Sequence, residues 1–227
     1  MYRYETHLHT SPVSRCARAT VRENLEVYKK LGYDGVFITN HFIDGNIYDI
    51  GTPVYEERLD FFFSDYDAAL EIGKEIGIKV FLGAELSYKG TDFLVYGLDK
   101  AWYYAHPEIE QMKKSDELKF MMSCGALVVH AHPYREAGYI DHIRLFPRCV
   151  QAVEVINACR TPFENKMAEI YAKSYGHIEF AGTDNHTGGD RSLFAGMMSR
   201  TPITSELDFV HRVLRKDMRT FTLNHNA

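Results

Sequence analysis

The sequence predicts an α/β barrel built as one domain over residues 1–227. Two observations carry that expectation. Short apolar runs alternate with segments of helical periodicity, the pattern of a mostly parallel sheet covered by helices. Polar, metal-competent side chains then recur at the carboxyl ends of seven successive runs, and in a parallel barrel those ends open onto a single face. An open dinucleotide-binding sheet loses support, because no Gly-x-Gly-x-x-Gly follows the first run.

The elements follow in order. Tyr2 to Thr6 starts a strand. Val21, Leu25, Tyr28 and Leu31 share a helical face over 20–31, Thr20 with Glu23 resembles a capping box, and Gly32 ends the helix. Residues 35–39 form a short buried strand, and 59–76 a helix stopped by Gly77. Strands are expected at 79–86 and 92–98, a helix at 108–123, and strands at 126–130 and 152–158. A helix at 163–175 and a strand at 178–182 follow. A final strand near 196–203 and a helix near 205–216, capped by Thr204 or Ser205, close the barrel within 191–227.

Composition narrows the function. The 227 residues carry 26 Lys+Arg against 31 Asp+Glu, a formal charge of −5, and no block of basic residues. That balance speaks against a nucleic-acid partner. No apolar run approaches the ~18 residues of a membrane span. The polar opening MYRYETHLHT lacks a signal-peptide core, so a cytoplasmic location is expected. Cys16, Cys124, Cys149 and Cys159 have no Cys-x-x-Cys spacing and are too few for a disulfide framework. Oligomeric state leaves no mark on the sequence. Eleven histidines are the unusual feature.

Their placement points to a metal centre. His7 and His9 follow the first strand, His41 the second, Glu85 ends the third and Asp99 closes the fourth. His130 and His132 end the fifth, Asn157 the sixth, and Asp184 and His186 follow the seventh. Residues i and i+2 of an extended segment point the same way, so each pair can present two ligands together. On that basis His130 shares a face with His132, where it orients another ligand, while Asp92 falls at the wrong end of its strand. Mixed imidazole and carboxylate donors suit Zn, Mn or Fe. The donors exceed one tetrahedral site, so two or more ions are expected, bridged by Glu85 and ~3.5–4 Å apart.

His7-Leu8-His9-Thr10, Thr39-Asn40-His41, Gly83-Ala84-Glu85, His130-Ala131-His132-Pro133 and Gly182-Thr183-Asp184-Asn185-His186 together resemble, in order, the motifs of the polymerase-and-histidinol-phosphatase (PHP) family. The resemblance runs from residue 5 to about residue 190. It implies a distorted seven-stranded (β/α) barrel, two or three divalent ions and phosphoester hydrolysis. By position it implies one ion held by His7, His9, Glu85 and Asp184, a second by Glu85 and His132, and a third by His41 and His186. Asp99 is the nearest counterpart of a histidine that some members carry. The chain departs from the pattern twice. Glu5 replaces the usual Asp before the first histidine, and the loop 11–16 lacks the His or Asp of the third site, with Cys16 as a candidate replacement.

A phosphate also needs cations beyond the metals. Arg15, Arg135, Arg160 and Arg191 lie in loops at the same face, where a guanidinium can grip two phosphate oxygens, and Asn157 can hold substrate or a neighbouring ligand. The expected reaction is hydrolysis of a small phosphomonoester, histidinol-phosphate-like or nucleotide-like, by a hydroxide shared between metals, with His41 or His186 protonating the leaving group. The alternatives are a 3′–5′ nuclease or proofreading domain, which needs a basic track, and a non-catalytic, metal-binding regulatory barrel. Hydrolysis of C–N bonds is weakened because no lysine sits mid-face; Lys79 and Lys89 only flank the Glu85 strand.

Overall fold

The computed structural model describes residues 1–225. Its strands are β1 (Tyr2–Glu5), β2 (Gly35–Ile38), β3 (Lys79–Tyr88), β4 (Thr91–Tyr96), β5 (Leu127–Ala131), β6 (Ala152–Asn157), β7 (Ile178–Gly182), β8 (Leu193–Ser199) and β9 (Arg219–Asn224). Its helices are α1 (Val21–Lys30), α2 (Tyr55–Ile76), α3 (Lys100–Ala105), α4 (Lys114–Ser123), α5 (Pro162–Tyr175) and α6 (Glu206–Leu214). No helix among the described residues is long and apolar enough to cross a membrane.

The strands form one nine-stranded sheet in the order β7-β6-β5-β4-β3-β2-β1-β8-β9, curled into a distorted, nearly closed barrel. Strands β1, β2 and β3 are parallel, as are β5, β6 and β7. Strand β4 runs against both of its neighbours, so the two parallel sets share one direction. The β3–β4 hairpin turns at Lys89-Gly90, both at positive φ (51° and 82°), as a two-residue type I′ turn requires. Gly90 meets that demand without the steric cost of a side chain.

Closure is local and falls where it matters. Tyr2, Arg3 and Tyr4 of β1 pair antiparallel with β8. Just beyond β1 the chain pairs instead with the continuation of β7, through a parallel bridge between Leu8 and Asn185. The Asp184 amide donates to the His7 carbonyl at 2.8 Å, and the His9 amide to the Asn185 carbonyl at 3.0 Å. The approach is so close that a Cβ on Gly182 would lie 2.4 Å from the His7 Cβ, which excludes any other residue there.

Local chemistry explains most of the remaining elements. Thr20 and Glu23 form the expected capping box at α1, and Thr161 with Glu164 form a second at α5, ahead of Pro162. Gly77 and Gly176 end α2 and α5 in the left-handed conformation. The single helix expected over 108–123 is instead a 3₁₀ turn (Pro107–Gln111) followed by α4, and an unforeseen α3 precedes it. Beyond residue 191 the expected strand and helix are joined by β9, which pairs along β8.

The barrel interior is aromatic. Phe209 of α6 packs against Phe37, Tyr96 and Phe180 with ring centroids 4.4, 5.3 and 6.1 Å apart, and all four are buried. Because β4 is reversed, Tyr96 lies near the amino ends of the parallel strands. Helix α6 therefore plugs that end and leaves the carboxyl ends open. Phe209→Ala removes the plug's largest side chain and is expected to cost about 3–5 kcal/mol of stability, measured by denaturant unfolding. A change below about 1 kcal/mol would contradict the role of α6 as the barrel's floor.

Candidate metal centre

Strand alternation turns both imidazoles of His7-Leu8-His9 inward, while Leu8 packs outward with Val21, Leu25 and Tyr28 of α1. A parallel bridge beyond β2 sets His41 beside Glu85 on β3. Glu85 is the hub. Its Oε1 lies 3.1 Å from His7 Nε2 and 3.3 Å from His132 Nε2. Its Oε2 lies 3.3 Å from His9 Nε2 and 2.9 Å from His41 Nδ1. Asp184 Oδ1 stands 3.5 Å from both His7 Nε2 and His9 Nε2, and its Oδ2 3.9 Å from His132 Nε2.

The donor atoms fall into three overlapping groups: His7, Glu85 and His132; His7, His9 and Asp184; and His9, Cys16, His41 and His186. Glu85 is 1% exposed, yet neither of its oxygens accepts an aligned hydrogen bond, and His41 Nδ1 likewise has no aligned partner. Buried polar atoms are normally satisfied. Here they crowd together without bonding one another, as donors arranged around common cations do. The mixture of imidazole, carboxylate and thiol suits divalent transition metals.

A second layer holds these side chains in place. Glu154 on β6 accepts from His7 Nδ1 at 2.9 Å, from the His132 amide at 3.0 Å and from Asn157 Nδ2 at 2.9 Å. It therefore leaves His7 Nε2 directed at the cluster. His9 Nδ1 meets Ser14 Oγ at 3.1 Å, and Ser14 also accepts from the His41 amide at 3.0 Å. Glu5 accepts from the amides of Thr6, His7 and Thr183 at 2.9, 2.7 and 3.0 Å, so it braces the β1 and β7 ends rather than orienting an imidazole. His132 and Asp184 have positive φ (24° and 58°), a backbone strain that clusters at functional sites.

The charges are mutually dependent. Burial alone would depress the His7 pKa, but Glu154, Asp184 and Glu85 outweigh it and hold it well above the ordinary imidazole value. His41 is raised in the same way, against burial, by Glu85 and Cys16. Burial would raise the carboxyls of Glu85 and Asp184, yet the surrounding histidines drive both well below the usual range. Burial also opposes ionisation of Cys16, but His186 and His41 lower its thiol to about 5.

The structure thus brings together His7, His9, His41, Glu85, His132, Asp184 and His186, with Cys16 among them. Asp99 is the clear correction. It caps α3, accepting from the Trp102 amide at 2.8 Å, because β4 is antiparallel and ends on the far side of the barrel. The same reversal delivers Asp92, at the start of β4, to the site: its Oδ2 lies 3.9 Å from His132 Nε2 and 3.0 Å from Arg135 Nη2. His130 is a second correction. It points away from His132 because His132 has left the strand conformation, and it stacks on Phe93 with no hydrogen-bond partner for either nitrogen. Burial, reinforced by His132, pushes its pKa down to about 3.

Of the two roles open to Asn157, the structure shows contact with a neighbouring ligand, Asp184. Asn157 is fully buried and bonds Glu154 and Asp184 (3.2 Å to Oδ2), so it serves the carboxylates rather than a substrate. Arg135 is half committed to Asp92, Arg191 reaches the Ala158 carbonyl at 3.5 Å, and Arg15 is exposed. Glu154 was missed altogether, although a charged residue inside the apolar run AVEVIN signals a buried role.

Glu154→Gln is expected to weaken divalent-metal binding about 10–100-fold in calorimetric titration, with the fold retained. Unchanged affinity would contradict its positioning role. His130→Leu is expected to leave metal affinity unchanged, and a matching loss there would restore His130 to the site.

No protein-family model matches this sequence, and no curated protein matches it. Solved structures do match. A two-domain protein from Bacteroides vulgatus containing a predicted PHP-like metal-dependent phosphoesterase superposes with a TM-score of 0.66 at 14% identity, covering 97% of this chain. This chain spans 64% of that protein's length. PsfC from Pseudomonas syringae gives 0.54 at 16% identity, covering 99% of this chain and 93% of that one. An amidohydrolase from Chromobacterium violaceum, solved with bound sulfate and no metal, gives 0.58 at 14% identity, covering 96% and 97%. The barrel described above is therefore the fold of these proteins, PHP-like phosphoesterase included.

Proposed function

We propose that this chain is a metal-dependent hydrolase of a small phosphomonoester. The observation that carries the reading is Glu85: a buried carboxylate whose two oxygens face two different pairs of imidazoles and accept no aligned hydrogen bond. By donor position, His7, His9, Glu85 and Asp184 would hold one ion, and Glu85 with His132 a second, to which Asp92 is the nearest further carboxylate. His41 and His186 lie within the cluster, so we assign them to holding cations rather than protonating the leaving group, which takes its proton from water at the open mouth. Divalent ions held there would supply Lewis acidity to a phosphoryl oxygen and to water near neutral pH.

The chain's own groups do the rest. Glu154 and Asn157 keep His7 and Asp184 aimed at the centre. Arg135, Arg160 and Arg191 follow β5, β6 and β7, and in each the Nε–H is buried without an acceptor. Guanidinium donors without acceptors on the loops after these strands suit an anionic substrate and the charge that develops on phosphoryl transfer. Fold similarity to an amidohydrolase raises C–N hydrolysis as a rival. The lysines that could serve it lie elsewhere: Lys79 Nζ donates to the Ile203 carbonyl, and Lys89 sits over the Tyr88 ring.

Chelation is expected to abolish hydrolysis of a generic aryl phosphate, and added zinc, manganese or iron to restore it. Glu85→Gln should lower turnover about 10²–10³-fold in the same assay. Near-normal turnover in that variant, or activity indifferent to chelator, would sink the proposal. Salt-sensitive cleavage of single-stranded DNA in place of phosphomonoester hydrolysis would favour the nuclease alternative.

A further inference from the structure

Resting on that reading, we propose that Cys16 supplies a thiolate ligand to one of the bound ions, together with His41 and His186, so that the centre contains one soft-donor position beside its carboxylate-rich ones. Cys16 Sγ and one ring nitrogen each of His9, His41 and His186 lie within 4.8 Å of one another, a grouping of donors able to hold a metal ion. His9 has no nitrogen to spare. Its Nδ1 meets Ser14 Oγ, and its Nε2 faces Glu85 and Asp184 at 3.3 and 3.5 Å. One nitrogen lone pair binds one ion, so His9 belongs with the carboxylates, and Cys16, His41 and His186 remain.

The loop after β1 is built to hold Cys16 there. The amides of Arg18 and Ala19 donate to the His186 carbonyl at 2.7 and 3.3 Å, tying the residues after Cys16 to the β7 loop. The Arg15 amide donates to Asn46, tying the residue before it to the β2 loop that carries His41. His186 Nδ1 lies 2.8 Å from the Asp184 carbonyl, which leaves its Nε2 as the coordinating nitrogen. The other cysteines stand apart: Cys124 is exposed, Cys149 is buried in the core, and Cys159 Sγ donates to the Thr183 and Asp184 carbonyls. Three protein ligands leave a coordination position open, as in catalytic zinc sites. A thiolate favours zinc at this position over manganese, whereas the oxygen-rich positions accept either.

The test uses cobalt(II) as the probe on the full chain stripped of metal. Wild type is expected to show an intense near-ultraviolet sulfur-to-cobalt charge-transfer band. Cys16→Ser should lose that band and bind about one equivalent less cobalt, with an unchanged circular-dichroism spectrum, while Cys159→Ser should keep it. Cobalt bound without the band, or a band that survives Cys16→Ser, overturns the thiolate assignment and leaves the hydrolase reading standing. Failure of wild type to bind cobalt overturns both. If Cys16→Ser does not fold, alkylation decides on the native chain: bound cobalt must shield Cys16 from iodoacetamide, and equal modification with and without cobalt overturns the assignment.

Discussion

Everything at the open face depends on burying the charge of Glu85. An ionised carboxylate taken out of water without a partner costs far more than the roughly 5–15 kcal/mol by which a domain is stable. Four imidazoles surround Glu85, and their positive charge is what keeps its pKa low against burial. Either protons on those rings or divalent cations must supply that charge. The geometry favours cations, because the crowded oxygens and nitrogens approach within 2.9–3.3 Å yet form no aligned bonds to the carboxylate. Asp184 repeats the logic on the β7 side, and Glu154 carries it one layer outward through His7 Nδ1.

The scaffold serves this constraint from two directions. Below, the aromatic layer of Phe37, Tyr96, Phe180 and Phe209 fills the barrel and keeps water from reaching the carboxylates from the floor. At the rim, the pairing of the β1 extension with the β7 extension fixes His7, His9 and Asp184 relative to one another. That approach is possible only because residue 182 is glycine. The positive φ of His132 and Asp184 is the strain this aiming requires, and neighbouring hydrogen bonds to Glu154 and the His7 carbonyl hold it.

Much of this was legible in the residues themselves. The barrel, the capping box at Thr20, and the convergence of His7, His9, His41, Glu85, His132, Asp184 and His186 all follow from local periodicity and strand ends. Asp99 and Asp92 were interchanged because strand direction is a property of pairing, which one strand's own pattern does not encode. The clue was Lys89-Gly90, a two-residue turn too short for a parallel crossover. His130 escaped for a related reason: the i, i+2 rule holds only while the chain stays extended, and His132 has left that conformation. Glu154 acts on other side chains rather than on solvent-facing space, so its role emerges only once the strands are assembled.

Convergence of these strand-end donors on cations is best tested by the metal content per chain, measured by elemental mass spectrometry on tag-free protein purified without chelator. Two to three equivalents of zinc, manganese or iron are expected. Less than about a tenth of an equivalent, not restored by added metal, would contradict that convergence: Glu85 would then be neutralised by protonated histidines alone, and the centre would not be a metal site.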